Sequence, residues 1–417
     1  MGLSRPRSAA PAAGPRPAAP AAGPRPAASA AAGTAGSPDR APGAACPSPV
    51  LLAVDAGNSK TDVALLDADG RVLGTARGGG FRPPAVGVDA AVDVLAEAVD
   101  RARAAAGPGS GAAAPVRQVT ACLANADLPV EEEALAAALT ARGWGRRVTV
   151  HNDTFAVLRA GVAAPDGEAA PRGVAVVCGA GINCVGVRSN GRTARFPALG
   201  RLSGDWGGGG GLAEEALWHA ARAEDGRGGP TLLRTALPAH FGLESVYALI
   251  EAVHLGRIAW ERRLELVPVL FAAAGRGDPV ADGLVARMAE EVVTMAVVAL
   301  RELDLLAEEV PVLLGGGVLA AGHALLDGQV TRLLAERAPR AVPRVVRARP
   351  VLGAALLGLD ALGAPVTAHE RARRHFEPPR PPDGPPAPGP GAGPGLTAPG
   401  GGTPAPPGST TAAQEGG

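Results

Sequence analysis

The chain has 417 residues, and its 40 basic and 40 acidic side chains give a formal net charge of zero. This balance argues against a general nucleic-acid or membrane-surface binder, which normally carries a basic excess. No apolar run reaches the roughly 18 to 20 residues that a membrane-spanning helix needs. The four cysteines form neither a CxxC metal pair nor a disulfide framework for a chain of this length. A reducing, cytoplasmic location is therefore expected.

Both ends of the chain have a composition that favours disorder. Residues 1–47 consist mainly of Ala, Pro, Gly and Arg, and residues 365–417 are rich in Pro and Gly. Such segments hold too few large apolar side chains to offset the entropy that ordering costs. The first segment also lacks the apolar core of a secretion signal. About 315 residues remain between the tails, enough for two domains.

The first domain is expected over residues 48–160. Apolar alternation and helical spacing predict its elements in chain order: strands at 51–57, 60–67 and 71–79, a helix at 88–105, a strand at 116–124, a helix at 129–143, a strand at 146–153 and a helix at 154–163. The order is therefore β-β-β-α-β-α-β-α.

The second domain is expected over residues 171–363, and it opens in the same way as the first. Residues 173–198 predict a strand, a glycine turn, a second strand, a hairpin and a third strand. The remaining predicted elements are a helical region at 212–307, a strand at 310–317, a helix at 320–338, a strand at 344–349 and a closing helix at 351–362. Two units that share one opening pattern indicate a duplicated α/β architecture.

Four glycine-centred stretches follow or connect these strands. Glycines let backbone N–H groups approach phosphate oxygens, and a carboxylate in the same turn can hold Mg²⁺. The stretches are Asp55–Thr61 (DAGNSKT), Cys178–Cys184 (CGAGINC), Ser203–Gly211 (SGDWGGGGG) and Leu313–His323 (LLGGGVLAAGH). Each alone also fits an ordinary turn, and none is a Walker A loop. Their order, with the pair Asn152 and Asp153 between the first two, favours phosphate binding.

The motifs resemble those of the N-acetylglucosamine kinase branch of the BadF/BadG/BcrA/BcrD-type ATPases, in the actin, Hsp70 and sugar-kinase superfamily. DAGNSKT is similar to the phosphate-1 loop, HNDTFAV to the connecting motif and CGAGINC to the phosphate-2 loop. LSGDWGG is similar to the sugar-site motif, LLGGGV to the adenosine motif and PVLGAALLGL to the closing helix. The resemblance covers about residues 50–363. It implies two RNase H-like (actin-like ATPase) domains with ATP in the cleft between them.

The resemblance also implies a chemistry: direct transfer of the γ-phosphoryl group of ATP to a sugar hydroxyl, with Asp153 as the general base. Asp55 would hold Mg²⁺. The implied nucleotide and phosphate contacts come from Asp55, Gly57, Asn58, Ser59, Lys60, Thr61, Gly179, Ala180, Gly181, Gly315, Gly316 and Gly317. The implied sugar contacts come from Asn152, Asp153, Asn183, Gly204, Asp205, Trp206 and Arg82.

The expected acceptor is N-acetylglucosamine or a related amino sugar. Neither nucleic acid nor a membrane is an expected partner. The family resemblance also allows a homodimer, for which the helical region 244–307 is a candidate interface.

The sequence departs from the family pattern inside the implied site. Ala180 and Ile182 replace hydroxyl residues of the phosphate-2 loop, and Trp206 and Gly208 replace a Glu and a Ser of the sugar-site motif. We expect the Trp206 indole to add a stacking face to the sugar pocket. Arg82 stands near the place of a sugar-binding Asn, and its cation would suit an acidic sugar or a substrate phosphate.

Two alternatives to a kinase remain open from the sequence. One is an ATPase without a sugar substrate, like the activators of 2-hydroxyacyl-CoA dehydratases in the same superfamily. The spacing of Cys122, Cys178 and Cys184 does not favour the iron–sulfur cluster of such an activator. The other is a non-catalytic sugar- or nucleotide-sensing protein, which the departures at Ala180, Ile182 and Trp206 would fit.

Overall fold

A computed structural model describes residues 48–108, 110–162 and 172–377 of the protein. The tail expected at 1–47 and residues 378–417 of the tail expected at 365–417 lie outside the described residues. The described chain forms two five-stranded mixed sheets with helices packed on their faces. Within this part of the protein, no helix is both long enough and apolar enough to cross a membrane.

The first sheet has five strands: β1 (Leu51–Ala56), β2 (Thr61–Leu66), β3 (Val72–Gly78), β4 (Val116–Leu123) and β5 (Gly145–Asn152). Their spatial order is β3-β2-β1-β4-β5. The first three form an antiparallel meander, while β4 runs parallel to β1 and β5 runs parallel to β4. The helices of this half are α1 (Pro83–Val86), α2 (Val88–Ala105), α3 (Pro129–Ala141) and α4 (Asp153–Gly161).

The second sheet repeats the topology of the first. Its strands are β6 (Gly173–Cys178), β7 (Ile182–Val187), β8 (Thr193–Arg195), β9 (Val310–Gly315) and β10 (Ala341–Val345). An antiparallel meander β6-β7-β8 is again extended by two parallel strands, in the order β10-β9-β6-β7-β8. The shared pairing pattern confirms the predicted duplication.

The remaining helices follow the second meander or close the chain. They are α5 (Gly208–Glu224), α6 (Leu233–His240), α7 (Val246–His254), α8 (Leu266–Gly275), α9 (Pro279–Glu302), α10 (Gly316–Ala320), α11 (Ala324–Arg337), α12 (Pro350–Ala361) and α13 (Val366–Phe376). Short 3-10 turns lie at Gly200–Ser203 and Trp260–Glu265. Helices α5 to α9 and α11 share one apolar core with the second sheet.

Helices α4 and α12 lie between the two sheets. Ala156 of α4 packs in one cluster with α12 and β1, while Val157 and Leu158 of α4 pack against β6, β7 and β9. The two helices cross at Gly353, where an added Cβ would lie 1.8 Å from the carbonyl oxygen of Ala156. This crossing fixes the distance between the sheets and places the start of α4 at the cleft.

The structure corrects three boundaries predicted from the sequence. The closing helix α12, expected in the second domain, packs its apolar residues against β1, β2 and β4 of the first sheet. The strand expected at 344–349 lies instead at Ala341–Val345, where Ala341 pairs with Val310 of β9. Because β10 is an edge strand, it accommodates Pro343, which lacks an N–H donor.

The third correction concerns the start of the tail that is expected from residue 365. Residues 366–376 form α13, whose apolar side chains Ala368, Ala372 and Phe376 are buried against α12 and the first sheet. The sequence VTAHERARRHF contains neither Pro nor Gly, and its apolar residues recur every four positions. The composition of the residues farther along hid this short helical pattern.

Candidate functional site

A cavity of about 260 Å³ lies where the turns of the two sheets meet. Its wall comes from the β1–β2 turn, the segment after β4, the start of α4, the β6–β7 turn and the start of α10. The sequence-predicted site residues that line it are Asp55, Gly57, Asn58, Ser59, Lys60, Asp153, Gly179, Ala180, Gly181, Asn183 and Gly316. Residues more than 250 positions apart in the chain thus share one cavity.

The β1–β2 turn is held in place on both sides. The N–H of Gly57 donates to the carbonyl of Lys60 at 2.9 Å, which closes the turn. Arg82 donates from Nε to the carbonyl of Asn58 at 2.8 Å, and Asn125 donates from Nδ2 to the Asn58 side chain at 3.0 Å. These bonds leave the exposed Lys60 side chain at the cavity, where it forms no ion pair with any described residue.

Two carboxylates, Asp55 and Asp153, face the cavity from the first half of the chain. Burial, followed by repulsion from Asp153 and Asp62, raises the pKa of Asp55 well above its usual range. Burial likewise raises the pKa of Asp153 to about 6. A cation bound between two buried carboxylates would offset their mutual repulsion and favour their ionised forms.

The donor set at these carboxylates fits Mg²⁺. No group of three or more His, Cys, Asp or Glu side chains that could cage a metal occurs among the described residues. Mg²⁺ does not need such a cage, because it commonly takes one or two carboxylates and completes its shell with water and substrate phosphate. Asp55 and Asp153 could supply those carboxylates.

The β6–β7 turn, Gly179–Gly181, contributes backbone donors to the opposite wall. The N–H of Gly179 bonds to the carbonyl of Gly181 at 2.9 Å within the turn. The N–H groups of Ala180 and Gly181 have no acceptor among the described residues, and both residues line the cavity. The turn therefore offers unpaired donors of the kind that bind phosphate oxygens, although Ala180 itself brings no hydroxyl.

A third carboxylate, Asp127, also lines the cavity. Its Oδ1 accepts hydrogen bonds from Nδ2 of Asn152 at 2.8 Å and from Nδ2 of Asn183 at 3.2 Å. Burial and then repulsion from Asp153 raise the pKa of Asp127 to about 7. Oδ1 is thus held by two amides from different sheets, and Oδ2 accepts no hydrogen bond from any of the described residues.

Sequence reasoning missed Asp127 and its neighbour Asn125. Both lie within four residues of the end of β4, which is parallel to β1, so the carboxyl ends of the two strands lie at one edge of the sheet. Polar residues just after a parallel strand typically lie where ligands bind, and this pattern could have identified Asn125 and Asp127. Asn125 adopts a left-handed backbone with φ of 61°, which Asn tolerates better than most residues.

Several predicted site residues support the cavity from behind. Thr61 is buried and donates its hydroxyl to the carbonyl of Gly79 at 2.9 Å. Asn152 is buried and also caps α4, because its side chain accepts from the N–H of Thr154. Gly315 lies against Val157 of α4, with an added Cβ 2.5 Å from a Val157 methyl. Like Thr61, Asn152 and Gly315, Gly317 does not line the cavity.

The predicted sugar contacts from Gly204, Asp205, Trp206 and Arg82 do not line the cavity. Asp205 accepts a hydrogen bond from the hydroxyl of Ser203 at 2.6 Å. The Trp206 indole is buried in the core of the second half, with the Arg287 guanidinium 4.2 Å from its ring centre. The large apolar surface of the indole favours burial in the core over exposure to solvent on the wall of the cavity.

Arg82 is engaged at the rim of the cleft. Besides its bond to Asn58, it lies 3.6 Å from Glu261 in the 3-10 turn of the second half. Arg82 is not among the residues that line the cavity.

Known proteins are similar to this chain in sequence and in fold. A model of the BadF/BadG/BcrA/BcrD ATPase family matches residues 52–358. The chain is 26% identical over 214 residues to the N-acetyl-D-glucosamine kinase of Dictyostelium discoideum, a stretch that covers 51% of this chain and 65% of that one. It is 24% identical over 204 residues to the N-acetylmuramic acid/N-acetylglucosamine kinase of Clostridium acetobutylicum, which covers 49% of this chain and 65% of that one.

The matched stretches thus span slightly less than two thirds of these curated relatives. Among solved structures, a candidate N-acetylglucosamine kinase from Chromobacterium violaceum is similar at a TM-score of 0.58 and 25% identity. The similarity covers 75% of this chain and 99% of that one. The likeness confirms the predicted duplicated α/β fold of the actin-like ATPases.

Proposed function

The chain belongs to the BadF/BadG/BcrA/BcrD ATPase family, and from this premise we propose that it is an ATP-dependent sugar kinase. It transfers the γ-phosphoryl group to a hydroxyl of N-acetylglucosamine or a closely related amino sugar. The observation that carries this proposal is the single cavity in which glycine turns from both sheets meet three carboxylates.

The phosphate end of the cavity lies between the β1–β2 and β6–β7 turns. Lys60 supplies a cation without an ion-pair partner in the described chain, and Ala180 and Gly181 supply unpaired N–H groups. Positioning and charge neutralisation dominate catalysis of phosphoryl transfer, and these groups provide both. The adenosine would then extend toward the start of α10, where Gly316 lines the cavity.

Asp55 is the residue that we assign to Mg²⁺, directly or through water. When bound there, Mg²⁺ would neutralise negative charge on the phosphates. The burial of Asp55 keeps its carboxylate rigid, and Lys60 balances part of the charge.

Asp153 is the proposed general base because it lines the cavity close enough to both other carboxylates to act on them. Repulsion from Asp153 contributes to the raised pKa of Asp55 and to that of Asp127. A hydroxyl that attacks a phosphate near Asp55 would therefore lie near Asp153. With its pKa near 6, Asp153 is ionised at neutral pH and can take the proton of that hydroxyl.

Asp127 and Asn183 are the proposed ligands of the sugar. The free oxygen of Asp127 would accept a sugar hydroxyl, while Asn152 holds the carboxylate from behind. Amides and a carboxylate suit a neutral acceptor, and Arg82, which donates to Asn58 and lies 3.6 Å from Glu261, does not line the cavity. The proposal therefore favours N-acetylglucosamine over acidic sugars.

The two alternatives receive less support from the geometry. A sensor without catalysis would need no general base, whereas the buried Asp153 lines the cavity together with Asp55 and Asp127 and supports a catalytic role. A dehydratase activator needs surface cysteines for an iron–sulfur cluster, but Cys122, Cys178 and Cys184 are all buried.

The test is coupled ADP release with Mg-ATP against N-acetylglucosamine, glucosamine, N-acetylmuramic acid, glucose and a sugar phosphate. We expect N-acetylglucosamine to give the highest kcat/KM and N-acetylmuramic acid a lower one. ADP release without sugar is the control. Rapid release that no sugar stimulates would favour the ATPase, and tight sugar or ATP binding without turnover would favour the sensor.

A further inference from the structure

The glycine run at the start of α5 lies against the β6–β7 turn. A Cβ added at Gly208 would lie 2.5 Å from the carbonyl carbon of Gly181, and φ at Gly208 is +71°. Cβ atoms added at Gly209 and Gly210 would lie 3.0 and 3.1 Å from the carbonyl oxygens of the turn. At Gly211, by contrast, no described atom lies within 4 Å of an added Cβ.

Hydrogen bonds join the same residues to the turn. The N–H of Gly209 donates to the carbonyl of Gly179 at 2.7 Å, and the N–H of Gly210 donates to the carbonyl of Ala180 at 2.8 Å. Helix α5 has no side-chain cap, so the turn satisfies N–H groups that a helix start would otherwise leave unpaired.

These bonds determine where the donors of the turn point. The carbonyl of Gly179 and the N–H of Ala180 belong to one planar trans peptide and point in opposite directions. The same holds for the carbonyl of Ala180 and the N–H of Gly181. Because both carbonyls point to α5, both N–H groups point away from it, and neither has an acceptor among the described residues.

We propose that Gly208, Gly209 and Gly210 are positioning residues for phosphate binding. They turn two carbonyls of Gly179–Gly181 away from the ligand and so present the N–H groups of Ala180 and Gly181 to the phosphates. This inference rests on the proposed function, since it takes the ligand to be the phosphates of ATP. The turn has Ala180 and Ile182 in place of the family's hydroxyl residues, and the inference explains how it still offers hydrogen-bond donors to phosphate.

The experiment compares Gly210→Ala and Gly208→Ala with Gly211→Ala in the full chain. Gly210→Ala is the main variant, because Gly208→Ala adds backbone strain and is the more disruptive change. Dissociation constants for Mg-ATP and for adenosine are measured by calorimetry, together with the melting temperature. Adenosine carries no phosphate, so its affinity reports on the fold of the site without the turn's donors.

We expect Gly210→Ala to weaken Mg-ATP binding and Gly208→Ala to weaken it about tenfold or more, since a displaced turn misaligns the N–H groups that form charge-assisted hydrogen bonds with phosphate. Adenosine affinity stays at the wild-type value, and Gly211→Ala binds both ligands as the wild type does. Mg-ATP affinity unchanged in Gly210→Ala and Gly208→Ala would overturn the inference, as would an equal loss of ATP and adenosine affinity. Wild-type protein that binds no Mg-ATP would instead refute the proposed function itself, and the inference with it.

Discussion

Three carboxylates share the cavity, and their surroundings differ enough to separate their roles. Asp55 is buried beside the β1–β2 turn, Asp153 stands at the start of α4, and Asp127 is held by amides from both sheets. Their raised pKa values share burial as the largest cause. Raised pKa values of several acids in one cleft are typical of a site that binds cations and moves protons.

The Asp127→Asn variant tests the sugar-binding role. We expect KM for the sugar to rise about tenfold or more, because a charged acceptor is lost, while kcat falls less. Steady-state kinetics at saturating Mg-ATP separate the two constants. A large fall in kcat with KM unchanged would contradict the assignment.

The pH profile gives a second test of Asp127. Its pKa of about 7 means that the carboxyl group is protonated below that pH and accepts a sugar hydroxyl less well. Apparent sugar affinity should therefore fall as the pH drops below about 7, and the Asp127→Asn variant should lose this step. An identical step in the variant would assign it to another group.

At the scale of elements, the crossing of α4 and α12 is what brings the two sheets together. The Gly353→Ala substitution should destabilise the fold by about 3 kcal/mol or more, because the new methyl group has no room beside Ala156. Gly328→Ala in α11 is the matched control, since nothing lies within 4 Å of its Cβ position. Urea unfolding measures both, and equal stabilities would contradict the described crossing.

An ion network joins α4, α12 and α13. Arg159 is only 4% exposed and donates to Asp360 at 2.7 and 3.0 Å, and His369 bonds to the same carboxylate at 2.9 Å. Burial would raise the pKa of Asp360, but the hydrogen bonds from His369 and Arg159 outweigh it and lower that pKa to about 2. The network thus favours the ionised carboxylate in the folded state.

The Asp360→Asn variant should lose about 1–3 kcal/mol at neutral pH, because Arg159 is left buried without a charge partner. A lowered acid pKa contributes stability above the unfolded value of about 3.9. The difference between variant and wild type should therefore shrink as the pH falls from about 4 toward 2. Glu336→Gln, which breaks an exposed pair with Arg332, should cost less than about 0.5 kcal/mol. Equal effects of the two substitutions would contradict the network's role.

Local patterns in the sequence were sufficient to predict most elements, but not the contacts between distant ones. The duplicated opening could be predicted because each half places a glycine turn between two apolar strands. The packing of α12 on the first sheet could not be predicted, because the sequence of an apolar helix does not indicate which sheet the helix packs against. For the same reason, neither the burial of Trp206 beside Arg287 nor the packing of Gly208–Gly210 on a turn about 30 residues earlier could be predicted.

At the scale of the whole molecule, two sheets of one topology present their turns to a single cavity. A ligand that bridges the β1–β2 and β6–β7 turns contacts both halves, so binding and the relative position of the sheets are coupled. The homodimer allowed by the family resemblance stays a prediction. Tyr247 and Leu255, in the region expected to form its interface, are more than half exposed.

The central claim is that this cavity phosphorylates a sugar with Asp153 as the base. The most direct measurement is the rate of sugar phosphate formation by the Asp153→Asn variant, with dissociation constants for sugar and Mg-ATP measured on the same preparation. We predict that kcat falls about 10²- to 10⁴-fold while both ligands still bind. A variant that keeps the wild-type kcat on the same sugar would contradict the claim.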